Sequence, residues 1–332
     1  MFADHPLSGV GLGEFFPWYL RLKPVDAEVT RDPHNILLSF LSQAGVLGGL
    51  AVVLLFLLPW VAATFMERRR GGAALYAASI GAVAAWMTHS MFQFNELIPG
   101  TLYFAAAGGL FFMDGGFRTR GVEAPLHRRV ALFASALACA LFACHGFSRV
   151  PGERLMRMGE VEEAREKGAG RDCYASAARK LEQAVMPWRE LGDSLARAGQ
   201  WKEAHDAFVE MAARIPHRAS AHFRLACSSM ALGRLDDAEI ALDKAEQWYP
   251  FYPELFIARA VLADMRARGD MSFMARDSIA RQVASVTAQC RSDGEGLLVT
   301  FDAKNHGLLE PVLAGAALRT ADGRPVSFKA AE

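Results

Sequence analysis

Along the first 150 residues the hydrophobic positions run together; beyond them they recur at helical intervals. Four runs lack Asp, Glu, Lys and Arg: Val46–Met66, Ala73–Phe92, Leu97–Met113 and Val130–Phe147, with 21, 20, 17 and 18 residues. A helix needs about 20 apolar residues to cross a bilayer, so the first two reach that length and the third falls short. One globular core could hardly surround four such helices on all sides, so they are not read as buried helices of an ordinary domain. The pattern predicts a polytopic helical membrane domain over 46–148, with spans near 46–66, 73–92, 97–113 and 130–147.

The second half reads differently. From Trp188 the chain runs WRELGDSLARAGQWKEAHDAFVEMAARIP, and 34 residues on it runs HFRLACSSMALGRLDDAEIALDKAEQWYP. Gly199 returns as Gly233, Trp201 as Leu235, Ala204 as Ala238, Phe208 as Leu242 and Pro216 as Pro250. Small Ala204 and Ala238 allow paired helices to approach, Phe208 and Leu242 fill the next layer, and the prolines end each second helix. A degenerate copy precedes them at Tyr174, Ala177, Leu181 and Ala184, a further first helix is expected over Pro253–Arg266, and Ile279, Val283, Val286 and Cys290 suggest a closing helix. With Trp188, Leu191 and Gly192 as its W-x2-L-G opening, the segment resembles the tetratricopeptide repeat, in about three units, near the minimum for a stable solenoid. After Asp293 the pattern alternates at Leu297, Val299 and Phe301, and Asp322-Gly323 carries a hairpin signal. The expected domains are a loop over 1–45, the membrane domain over 46–148, repeats over 149–290 and a short, truncated β-like tail over 291–332. The expected fold class is all-α: a four-span helical membrane domain followed by a tetratricopeptide-type α-solenoid and a short C-terminal β-like segment.

Charge adds an orientation. Of the 72 charged side chains, 20 fall in residues 1–150, and 36 basic residues balance 36 acidic ones, which carries no nucleic-acid signature. Arg68, Arg69 and Arg70 follow the first run, while Arg118, Arg120, His127, Arg128 and Arg129 lie between the third and fourth, placing both links on the cytoplasmic side. Arg21, Lys23 and Arg31 before the first run, and Arg149, Arg154 and Arg157 after the fourth, count the other way. The expected location is the bacterial inner membrane, multi-pass, with 1–45 and 149–332 periplasmic. Five cysteines with no CxxC pair imply neither a disulfide framework nor a zinc site.

Candidate chemistry lies in the first 45 residues. Gly9, Gly11 and Gly13 imitate a phosphate loop, but Glu14 stands where a third glycine is needed and no strand precedes, so nucleotide binding is rejected. No DxD motif or carboxylate cluster suggests a metal-dependent glycosyltransferase. His5-Pro6-Leu7, Gly9, Gly11, Gly13 and Phe15, followed by Pro33-His34-Asn35, Gly45 and Gly48, resemble the O-antigen ligase and O-antigen polymerase superfamily. That resemblance implies metal-independent, cofactor-free transfer of a glycan from an undecaprenyl pyrophosphate carrier to an acceptor hydroxyl on a lipid, polysaccharide or protein. It implies a histidine that activates the acceptor, here His34, and arginines that hold pyrophosphate, here Arg31, with Arg21 and Lys23 on the same segment. His5, Asn35 and His89 are accessory candidates. From the residues themselves, Asp32 suits an N-cap, Pro33 the first helical position, and His34 the first turn, where the positive helix end keeps an imidazole neutral as a base requires. A lone loop histidine is otherwise more often simply solvated, and Arg21 and Lys23 can be ordinary loop charges. The family fold has more spans than this chain, which therefore reads as the C-terminal part of a longer enzyme. Two alternatives stand beside the ligase: a protein O-oligosaccharyltransferase whose repeats present the acceptor, and a non-catalytic, membrane-anchored repeat scaffold that binds a protein partner.

Overall fold

The structure is a computed structural model that describes residues 1–31, 33, 35, 38–50, 147–269, 271–286, 288–293, 296–302, 312–313, 316, 318–320 and 323–331. Among them no helix is long and apolar enough to cross a membrane. This corrects the expected polytopic membrane fold and, with it, the multi-pass inner-membrane placement that rested on the four spans. The expectation came from counting uncharged residues, whereas several described helices carry charge at close intervals. The helix over 147–165, for example, holds Arg149, Glu153, Arg154, Arg157, Glu160, Glu162, Glu163 and Arg165. Of the four runs, only 46–50 and 147 fall within the described residues. A four-stranded sheet lies at the end of the chain, where a short β-like segment is expected.

The chain divides into two compact units, Met1–Tyr19 with Val29–Ala140, and Leu20–Glu28 with Leu141–Glu332. Helix α1 (Phe15–Leu22) begins in the first unit after the glycine-rich loop and ends in residues assigned to the second, and helix α2, in the first unit, spans 38–50. Gly45 interrupts α2 with φ 64°, and the loop fills the break: Val46 N donates to Pro6 O at 2.8 Å, Val10 N to Ser42 O at 2.9 Å, and Gly11 N to Gln43 O at 2.9 Å. In an unbroken helix Val46 N would bond Ser42 O, so the loop supplies partners where α2 gives up its own. The backbones come so close that a Cβ on Gly9 would lie 2.3 Å from the Gln43 carbonyl carbon, and one on Gly45 2.3 Å from Leu7 O. Gly9 and Gly45 are therefore required by close approach as well as by their positive φ.

The second unit is a helical repeat stack. Helix α3 spans 147–165, followed by α4 (Arg171–Lys180), α5 (Met186–Arg197), α6 (Trp201–Arg214), α7 (Ala219–Ala231), α8 (Leu235–Trp248), α9 (Pro253–Arg268) and α10 (Phe273–Ser285). α5 pairs with α6 and α7 with α8, and each second helix packs on the next first helix. Gly192 makes the α5–α6 contact possible, because a Cβ there would meet the Phe208 ring at 2.3 Å; small Ala226 and Ala260 recur at 34-residue intervals. The turns within the pairs are glycine-closed: Gln200 N reaches Leu195 O at 2.9 Å and Arg234 N reaches Ser229 O at 2.9 Å, around Gly199 (φ 77°) and Gly233 (φ 75°). These are Schellman-type ends, in which the left-handed residue lets a late N–H satisfy an orphan carbonyl.

The third pair is not completed in the same way. α10 follows α9 in the chain but packs chiefly on α7, and it stops at Ser285, with Val286 extended. Cys290, read as part of the closing helix, lies instead on strand β1 (Ala288–Asp293). β2 (Gly296–Asp302), β3 (Leu318–Arg319) and β4 (Pro325–Ala331) complete a sheet in the order β1-β2-β4-β3, antiparallel except for the parallel β2–β4 pair. Leu297, Val299 and Phe301 alternate along β2 and are buried with Phe256, Val261 and Val283 in one core.

Candidate protein-docking surface

The repeat stack is held in register by charges as well as by volume. On α9, Arg259 and Arg266 stand two turns apart, and each forks onto two acids of α8. Arg259 Nη2 lies 2.7 Å from Asp243 and 2.5 Å from Glu246, and Arg266 Nη2 lies 2.9 Å from Asp236 and 2.8 Å from Glu239. Pairing with Arg266 lowers the Glu239 carboxyl pKa below its ordinary value. Water screens the exposed pairs of Arg266, so these bridges fix how α9 sits on α8 more than they stabilise it. Between the first helices of successive pairs, Arg224 makes a bidentate bridge to Asp193, with Nε–Oδ1 2.8 Å and Nη2–Oδ2 3.0 Å. At the start of the stack Glu163 accepts from Gly168 N, Ser194 Oγ and Arg197 Nε at 2.9, 2.6 and 2.7 Å, which holds its pKa low despite burial.

A second polar network lies at the turns within the pairs. The Trp201 indole donates to Asp277 Oδ1 at 2.5 Å, and Arg281 grips both oxygens of Asp277, with Nε–Oδ1 2.9 Å and Nη2–Oδ2 2.8 Å. Arg281 Nη1 also donates to Arg197 O at 2.6 Å, and Arg276 Nε to Ala231 O at 3.4 Å. These donors hold the Asp277 carboxyl below its ordinary pKa although burial opposes them. Repeat reading alone did not find this site. Its one sequence signal was Trp201 at a position occupied by Leu235 in the next copy, since a buried indole N–H needs an acceptor.

The residues singled out in the sequence divide between the two units. In the first unit, His5 meets Trp18 edge-on at 5.2 Å, and Arg31 is exposed. At the start of α2, Asn35 Oδ1 accepts from Leu38 N at 3.1 Å and Asn35 O from Ser39 N at 2.8 Å; Asp32, the expected N-cap, lies outside the described residues. His34 and His89 lie outside the described residues. Arg21 and Lys23 belong to the second unit, where Arg21 lies over the Trp248 ring at 5.4 Å and Lys23 over Tyr249 at 5.7 Å. Lys23 is 6% exposed and donates to Pro24 O and Val25 O at 3.0 and 3.2 Å; burial lowers its pKa. Their segment also reaches the sheet, where Asp26 accepts from Ser292 N at 2.9 Å. The structure thus groups Arg21 and Lys23 with the aromatic end of α8, and Arg31, His5 and Asn35 with the glycine loop. Among the described residues no group of three or more His, Cys, Asp or Glu is placed to hold a metal ion.

No curated protein matches the chain. Residues 195–262, from the end of α5 into α9, match the model of the tetratricopeptide repeat family, and it is this repeat region that the geometry above describes.

Proposed function

We propose that the second unit is a non-catalytic scaffold that binds a partner protein. The observation that carries this reading is the stack of glycine-closed helix pairs within the matched segment, since repeats of this kind expose extended surfaces and generally mediate protein–protein interaction. A charge-reversal scan over exposed positions from 186 to 268 in the full chain is the test. Partner capture should fall at a contiguous subset of positions and be untouched by His34→Ala. Capture insensitive to every position of the scan would overturn the reading.

A second reading rests on the glycine loop. The residues that resemble the O-antigen ligase superfamily include the two glycines whose close approach threads residues 6–11 into the break at Gly45. In this reading the chain is part of a transferase that moves a glycan from an undecaprenyl pyrophosphate carrier to an acceptor hydroxyl. His34 acts as the base and Arg31 assists the pyrophosphate, with His5, Asn35 and His89 in support and the repeats presenting a lipid, polysaccharide or protein acceptor; Arg21 and Lys23, engaged at the aromatic end of α8, are left out of this site. Loss of glycan transfer on His34→Ala in the full-length enzyme is the expected outcome; unimpaired transfer would remove His34 from the mechanism. Deleting 151–332 separates the acceptors, because protein glycosylation needs the repeats and transfer to lipid does not.

A further inference from the structure

One helix of the second unit leaves the order of the stack. α10 turns away from α9 and lies across α7 and the turns that close the two preceding pairs. Its contacts repeat with the stack: Arg281 reaches Arg197 O and Arg276 reaches Ala231 O, carbonyls 34 residues apart and each two residues before a turn glycine. A Cβ at Gly199 would lie 2.8 Å from Arg281 Nη2, and one at Gly233 3.2 Å from Arg276 Cζ, so the turns are shaped to let the two guanidinium groups in. Between them, fully buried Ala280 packs among Leu195, Ala196, Trp201 and Ala231, and Asp277 takes the Trp201 indole. α10 thus reads two equivalent points of the repeat with a pattern of its own, Arg-Asp-x-x-Ala-Arg from Arg276 to Arg281.

Fully buried Ala280 and Val283 give this helix an apolar seat, and arginines on carbonyls and a carboxylate under an indole fix its place on the turns. Such contacts give specificity and register, and they can be exchanged for equivalent contacts with another chain. Gly269 leaves α9 with φ 74°, and Val286, buried in the core, is extended before β1.

We propose that the turn edge of the two repeats is a helix-docking site and that α10 is its resident ligand, released as a unit to admit a partner helix bearing the same Arg-Asp-x-x-Ala-Arg pattern. The proposal rests on the scaffold reading and names the surface and the partner chemistry within it.

Two measurements on the full chain test it. In hydrogen exchange, the amides of 276–284 should open as one group, at least about tenfold faster than those of α6 and α7. Exchange in step with α7 would make α10 a core helix and overturn the proposal. The Arg276→Glu/Arg281→Glu double variant, which weakens the chain's own α10, should bind a synthetic peptide of residues 271–286 at least about tenfold more tightly than wild type. A variant that melts cooperatively yet shows no gain would also overturn it. Should that variant not fold, Asp277→Asn replaces it in the same peptide assay; a gain in affinity is again expected, and its absence overturns the proposal. Neither measurement uses a partner protein, so their failure leaves the scaffold reading standing, and a failed partner scan leaves these results unaffected.

Discussion

Glu254, at the start of α9, carries a buried carboxyl oxygen with no hydrogen-bond partner, and burial pushes its pKa up to about 7 despite the Ala288 amide and nearby Arg224. Folding therefore retains a proton that the unfolded chain, with an ordinary carboxyl near 4.5, has released. The resulting stability is fully present below the unfolded pKa and is lost as pH rises through about 7. His205 and His222, both shifted down by burial, work in the opposite sense, favouring the fold as pH rises toward 6.5. The comparison that isolates Glu254 is with Glu254→Gln: denaturant midpoints should show the variant gaining on wild type from about pH 4.5 to 7 and holding its gain above. A parallel pair of curves would remove the carboxyl from the account. Gly192 gives a test of packing. Gly192→Ala forces a Cβ into the Phe208 ring and should cost about 1–3 kcal/mol in chemical denaturation, the range for overpacked cores. Both glycine and phenylalanine were visible as repeat positions in the sequence. The buried carboxyl was not, because its burial comes from β1, a strand distant in sequence.

At the scale of elements, the helices were legible wherever the 34-residue period held, since small residues at fixed intervals and prolines past the second helices specify the pairs. The period says nothing about where a helix goes after the last matched turn, and α10 was for that reason read as an ordinary closing helix. The start of α10 is set by Ser272, whose Oγ accepts from Ala275 N at 3.3 Å. Ser272→Ala should cost about 0.5–2 kcal/mol and raise exchange in α10 ahead of the other helices. An equal rise throughout the stack would mean that α10 unfolds only with its neighbours. The break in α2 was hidden for a similar reason. Glycines at 9 and 45 were noticed as parts of one motif, but their contact across the loop depends on backbone hydrogen bonds that leave no mark on side-chain pattern. The placement of Arg21 and Lys23 on Trp248 and Tyr249 likewise follows from a long-range contact that neighbours in sequence do not disclose.

For the molecule as a whole, no described helix is long and apolar enough to cross a membrane, and the uncharged runs lie almost wholly outside the described residues. Repeat spacing was the better guide: the segment that matches a known family runs from the end of α5 into α9, and the pairing follows from named contacts at Gly192, Phe208 and the two turn glycines. The central claim is that this stack works by binding a protein. Its most direct measurement is hydrogen exchange on the full chain with and without a captured partner. The account predicts protection that maps to 186–268, with residues 1–50 unchanged. Protection confined to the glycine loop and α2, with the repeat helices exchanging as before, would contradict it.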